Sequence, residues 1–145
     1  MSSKKDKLKI YKPDTATDRE IPVAGSGVRA GFPSPAEDHI EGRLDLNKLA
    51  VTHPDATFFA RVEGDSMKDD CIEDGDLLVI DKSLKPEDGN VVVSYLDGEF
   101  TLKRIQIKKG KIYLVPANEK YKVLEVSDET DFRVWGVVRY VLKKV

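Results

Sequence analysis

The 145-residue sequence holds a single cysteine, Cys71, and only two histidines, His39 and His53. One cysteine excludes an intrachain disulfide and any cysteine-rich metal site. Long apolar runs are also missing. Stretches such as LLVI and VVV fall far short of the ~20 residues that span a bilayer as a helix, so no membrane segment is expected. The opening MSSKKDKLKI carries charge where a secretory signal needs an apolar core, which makes the cytoplasm the expected compartment. A strong excess of positive charge is absent too. The formal charge is −2, which argues against a strongly basic nucleic-acid binder. The imbalance is local: residues 1–30 hold seven Lys/Arg against four Asp/Glu, and the remainder seventeen against twenty-two. An acidic body therefore follows a mildly basic leader.

The length suits one domain with a real core, and apolar content of 40% with 34% charge is ordinary for a globular protein. Residues 1–30 mix charge, Pro, Thr and Gly without helical or strand period, which predicts a flexible N-terminal arm ahead of a domain over 31–145. LDLNKLAV (44–51) predicts a short helix with Leu44, Leu46, Leu49 and Val51 on one face, ended by His53-Pro54. From there the pattern is β. ATFFARVE (56–63), DLLVID (76–81), NVVVSYL (90–96), EFTLKRIQI (99–107), KIYLVP (111–116) and FRVWGVVRYVL (132–142) are rich in Val, Ile, Phe and Tyr, and turn residues divide them. LDGEF reads as a tight hairpin around Asp97-Gly98. The expected fold is mostly β: a compact, curled antiparallel domain.

VEGDSMKDDCIEDGD (62–76) concentrates acids and turn formers. A calcium loop with Gly75 as its glycine starts at Asp70, but it puts Ile72 in a ligand position and Asp81 where a bidentate Glu belongs. That reading is rejected, and no metal is expected. Ser66 sits in a Gly-Asp-Ser-Met turn after a strand, where a hydroxyl and backbone N–H groups can be presented together. A nucleophilic serine needs a base. The spacing of His39 and His53 supports no Ser-His-Asp arrangement, and neither has an obvious orienting acid. The other base is lysine. Alternation along EFTLKRIQI puts Thr101, Lys103 and Ile105 on one face and Phe100, Leu102 and Arg104 on the other. Either Lys103 or Arg104 simply snorkels from a buried strand, or Lys103 is held neutral with Thr101 orienting its amine. A lysine base near neutral pH loses its proton ~3 pH units below the ordinary value, which disfavours the ammonium form by ~4 kcal/mol.

In order along the chain, AGFPSP, GDSM, DGDLLVID, DGEFTLKRI and GVVRYV resemble the LexA/UmuD family of self-cleaving Ser-Lys proteins. AGFPSPAED and DLNKLAVTHPDATFF are closest to its UmuD branch. The resemblance spans residues 28–145 and implies a fold of the LexA C-terminal/UmuD type. By the same resemblance Ser66 is the nucleophile, with Met67 beside it in the motif, and Lys103 is the general base, supported by Thr101. Ala30–Gly31 is the scissile bond, and Val28 is an apolar recognition residue. The VRAGFPSP stretch is then both tether and substrate, with small residues that let the backbone approach Ser66. The implied biology is a homodimer whose self-cleavage is stimulated by RecA filaments on single-stranded DNA. Its processed form would serve a UmuC-type error-prone polymerase in translesion synthesis. No metal or organic cofactor is implied, nor direct sequence-specific DNA binding. Two rivals remain: a regulatory interaction module whose dyad is idle, and a truncated LexA-like repressor. The second is disfavoured because thirty polar residues cannot form a helix-turn-helix domain.

Overall fold

Two-residue turns with both residues at positive φ match the right-handed twist of paired strands. Asp97 (φ 49°) and Gly98 (φ 86°) form one such turn, as LDGEF predicts, and Lys109 (φ 51°) and Gly110 (φ 76°) form another. These turns place three consecutive strands side by side. The computed structural model describes residues 7–24, 40–64, 71–116 and 122–145. Its strands are β1 (Lys7–Tyr11), β2 (Glu20–Ala24), β3 (Ile40–Asp45), β4 (Thr57–Glu63), β5 (Leu77–Asp81), β6 (Val91–Leu96), β7 (Glu99–Lys108), β8 (Lys111–Val115), β9 (Leu124–Val126) and β10 (Phe132–Leu142). One five-residue helix, α1 (Leu46–Ala50), and a 3-10 turn at Pro54–Ala56 complete the described elements. None of the described helices is long and apolar enough to cross a membrane.

Eight strands form one antiparallel sheet in the order β1-β4-β5-β10-β6-β7-β8-β9, and β2 pairs with β3 separately. The expected mostly β, curled antiparallel fold is what the chain adopts. The curl follows from burial on both faces of the central strands. Ala60, Val62, Leu78, Ile80, Val91, Val93 and Leu102 pack with Ile72 on one face. Val92, Ile105 and Val137 pack on the other. Strands buried on both sides read as unbroken apolar runs, which is why LLVI and VVV contain no polar alternation.

The leader departs from its expected lack of period. KLKIY (7–11) and EIPVA (20–24) are strands. β1 pairs along β4 from Lys7↔Glu63 to Tyr11↔Phe59, and β2 pairs with β3 from Glu20↔Asp45 to Ala24↔Ile40. Five residues are too few to show a period by themselves, and here the partner strand supplies the order. The helix is shorter than predicted. Asp45 caps it by accepting the Asn47 N–H at 2.8 Å; Leu44 stays in β3, Val51 is buried, and Leu46 and Leu49 are exposed.

At the far end of the helix, His53 Nδ1 lies 2.5 Å from Asp81 Oδ2, and Ser83 donates both its N–H and its hydroxyl to the same carboxylate's Oδ1. Burial alone would raise the Asp81 carboxyl, but the bonds from Ser83 and His53 outweigh it and hold the group below its ordinary value. A carboxyl depressed in the folded state stabilises the fold above the unfolded-state value of about 3.9, and that contribution is lost as pH falls through the lower folded value. Asp81→Asn should therefore be less stable than wild type at pH 7, with the gap closing below about pH 4. Urea midpoints at several pH values check this.

Gly136 lies in β10 opposite Val93, beside a register shift. A Cβ there would meet Ile80 Cγ2 at 2.5 Å and the Asp81 carbonyl oxygen at 3.4 Å. Because Ile80 is wholly buried, it has no room to move aside. Gly136→Ala should destabilise the fold by about 1–3 kcal/mol through overpacking, read as a lower urea midpoint with unchanged slope.

Candidate active site

The stretch that carries Ser66 and Met67, residues 65–70, lies outside the described residues, as do Val28, Ala30, Gly31 and His39. Both flanks of the serine stretch are described. β4 ends at Glu63, and Gly64 follows at φ 122°, a conformation that suits glycine. The Gly64 N–H donates to Asp74 Oδ1 at 3.1 Å. The Val62 N–H donates to the Asp76 carbonyl at 2.9 Å, and the Gly75 N–H returns to the Val62 carbonyl at 2.8 Å. Beyond the stretch, Ile72 is buried in the main core. Asp76 is buried as well; it accepts the Glu73 N–H at 2.8 Å and the Lys143 ammonium at 2.7 Å. The hydrogen bond to Asp76, opposed by burial and helped by Glu73, holds Lys143 above its ordinary value. The acids of 73–76 thus serve as turn and anchor groups, consistent with their reading as turn formers.

Lys103 and Thr101 stand where the alternation puts them, on one face of β7. Directly paired antiparallel residues share a face. Lys103 pairs with Val92, and Thr101 with Ser94. Lys103 and Thr101 are both half-buried, beside wholly buried Val92 and Ile105. On the opposite face Leu102 enters the main core with Val62 and Ile72. One strand therefore sets the lysine's position and packs against the two residues that flank the serine stretch. The neighbouring Arg104, on the opposite face, donates its guanidinium to the Gly89 carbonyl.

Sequence reasoning missed Ser94. Its side chain is wholly buried on the Lys103 face, and its Oγ has no hydrogen-bond partner among the described residues. A buried orphan hydroxyl costs about 1–3 kcal/mol, so its presence on the Lys103 face calls for an explanation. The polar residue within the apolar run VVVSYL was the available signal.

His53 has an orienting acid after all. Asp81 follows it by 28 residues and reaches it only through the sheet. That pair sits at the Thr57 end of β4, where the Thr57 hydroxyl donates to the His53 carbonyl at 2.7 Å and Thr57 faces Asp81. The six steps from Thr57 to Glu63 put it about 20 Å along the strand from the end that leads to Gly64. Its role in the described structure is to clasp the turn before β4.

Comparison with known proteins matches the family model described as Peptidase S24-like over residues 22–139. The chain is 46% identical to protein SamA of Salmonella typhimurium over 115 residues, covering 79% of each. It is 41% identical to protein MucA of Escherichia coli over 123 residues, covering 84% of each. Protein ImpA of Escherichia coli is 40% identical over 131 residues, 85% of this chain and 83% of ImpA. A family model that covers most of the chain, with three relatives of the UmuD branch at this identity, answers the question raised by the motifs: the chain belongs to the Peptidase S24-like family, on its UmuD side.

Proposed function

We propose that this protein is a self-cleaving Ser-Lys peptidase that cuts its own chain once, at Ala30–Gly31. In this reading the neutral Lys103 amine takes the Ser66 hydroxyl proton, and Oγ attacks the Ala30 carbonyl carbon. Backbone N–H groups at the serine turn hold the oxyanion. The Lys103 ammonium then protonates the Gly31 nitrogen as the peptide bond breaks, leaving an ester between Ser66 and Ala30. Water, deprotonated by the same amine, hydrolyses that ester and frees the Ala30 carboxylate. Because substrate and nucleophile belong to one chain or one dimer, they meet at high effective concentration.

The observation that carries this reading is a half-buried lysine beside a threonine on β7, in a chain of a serine-peptidase family. The position of the described histidine supports it too, since His53 is held at the other end of β4 from the one that leads to Ser66. The finer biology follows the family resemblance. We propose a homodimer whose cutting is stimulated by RecA filaments on single-stranded DNA, and whose processed form assists an error-prone UmuC-type polymerase in SOS mutagenesis.

Ser66→Ala and Lys103→Ala should each leave a folded protein that no longer cuts itself, with full-length chain persisting by intact mass under conditions where wild type is consumed. Continued cutting at Ala30–Gly31 in Ser66→Ala would refute the nucleophile assignment.

The pH profile distinguishes the two kinds of base. With lysine as base, only the neutral amine works, so the uninduced rate rises as pH climbs through the amine's titration and then levels off. A histidine base would complete its rise by mildly alkaline pH, centred near about 6.5. Loss of full-length protein should be timed from pH 6 to 11 with the fold monitored throughout. A rate already flat above about pH 7.5 would rule out a lysine that must lose its proton in this range.

A further inference from the structure

Strand β4 is flanked on both sides: β5 belongs to the body, and β1 comes from the leader. Without β1, the β4 edge would present a row of unpaired N–H and C=O groups, which is a template for another strand. The side chains show what that template selects. Leu8 pairs with Val62 and Ile10 with Ala60, so these two apolar residues share the face of the main core, and Leu8 packs against it. On the other face Lys9 lies 3.5 Å from Glu63. Just past the strand, the Lys12 ammonium donates to the Asp55 carbonyl at 3.0 Å and sits 4.3 Å from the Phe58 ring centroid. The edge thus offers an apolar floor, a carboxylate near one end, and an aromatic face with a carbonyl at the other. An extended segment with two apolar residues spaced by two and lysines around them fits all three.

The rest of the leader is held by other bonds. The Arg19 N–H donates to Asp45 Oδ2 at 2.8 Å, Asn47 Nδ2 to the Asp14 carbonyl at 3.1 Å, and the Arg43 guanidinium to the Glu20 carbonyl at 3.0 Å. Every one of these contacts joins residues up to 24 to residues from 40 onward. A cut between them breaks none.

We propose that the β4 edge is a strand-acceptor site for extended basic-apolar peptide segments, occupied in the uncut chain by residues 7–11. Severing the leader does not by itself empty the site. It converts a tethered strand, present at an effective concentration of order mM, into a dissociable one that a strand of like chemistry replaces. The mode is β-augmentation, with main-chain bonds for affinity and side-chain alternation for selectivity. The step that severs the leader rests on the proposed self-cleavage; the acceptor edge does not.

The test keeps the two apart. In the full chain carrying Ser66→Ala, the recognition sequence of a site-specific protease is inserted between Ala30 and Gly31, and the protein is studied before and after cutting. The probe is a fluorescent peptide of residues 5–13, KDKLKIYKP. Directly after cutting, the leader fragment should still co-elute with the body. With excess peptide, residues 7–11 of the fragment should be displaced from β4, and the cut protein should bind the probe at least tenfold more than the uncut protein. A probe with aspartate in place of Leu8 should not bind. Equal binding to cut and uncut protein would overturn the proposal, as would no binding to the cut protein at about 1 mM probe. An uncut route gives a second reading. Leu8→Asp in the full chain, or Leu8→Ala where the first does not fold, should speed amide exchange at residues 59–63 and allow the probe to bind. A folded variant that does neither would also refute the site. Because the external protease makes the cut, the outcome is independent of whether the chain cuts itself.

Discussion

The central constraint is strand β4. It cannot leave its partners without exposing the polar backbone of seven residues next to a dry core, so its two neighbours determine what happens at its ends. At one end the His53–Asp81 clasp closes the preceding turn. At the other, Val62, Gly64 and the 74–76 turn exchange backbone bonds that fix where the chain enters and leaves the Ser66 stretch. In the proposed self-cleavage, the strand that leads to Ser66 is held by hydrogen bonds between β1 and β5. Preorganisation of that kind raises effective concentration without any contact to the reacting atoms.

The lysine answers to the same sheet. A charged side chain on a strand between Leu102 and Ile105 is costly unless one face offers it an exit or a use. Arg104 has its exit at the Gly89 carbonyl. Lys103 shares its face with Val92, Ile105 and the buried Ser94 hydroxyl. The proposed dyad would use the amine on this face. The packing of β7 thus sets where Lys103 stands.

Much of this was legible because the signals were local. Six of the eight described strands after residue 31 announce themselves by β-rich runs between turns, and Asp97-Gly98 specifies its hairpin through two residues that tolerate positive φ. The Lys103–Thr101 face follows from a period of two. What escaped detection depends on partners far away in sequence. β1 and β2 are five-residue strands whose order comes from β4 and β3. His53 gains its acid across 28 residues, and Ser94 becomes an orphan hydroxyl only once β7 and β10 close around it. Local chemistry predicts elements well, and the pairings between remote short strands poorly, because loop closure rather than propensity decides them.

That division bears on what the proposed self-cleavage would do beyond shortening the chain. If the leader were the structureless arm its composition suggests, cutting would simply shorten the chain. Pairing Lys7–Tyr11 with β4 makes part of the leader a strand of the main sheet, so the proposed cut would change the thermodynamic status of a strand before it changes any contact. A tethered strand competes at the concentration its tether imposes, and a severed one competes at the concentration of the solution. The difference between those two concentrations is then the signal. In that proposed role the body needs no conformational change, because the acceptor edge is β4, the same strand that leads into the Ser66 stretch.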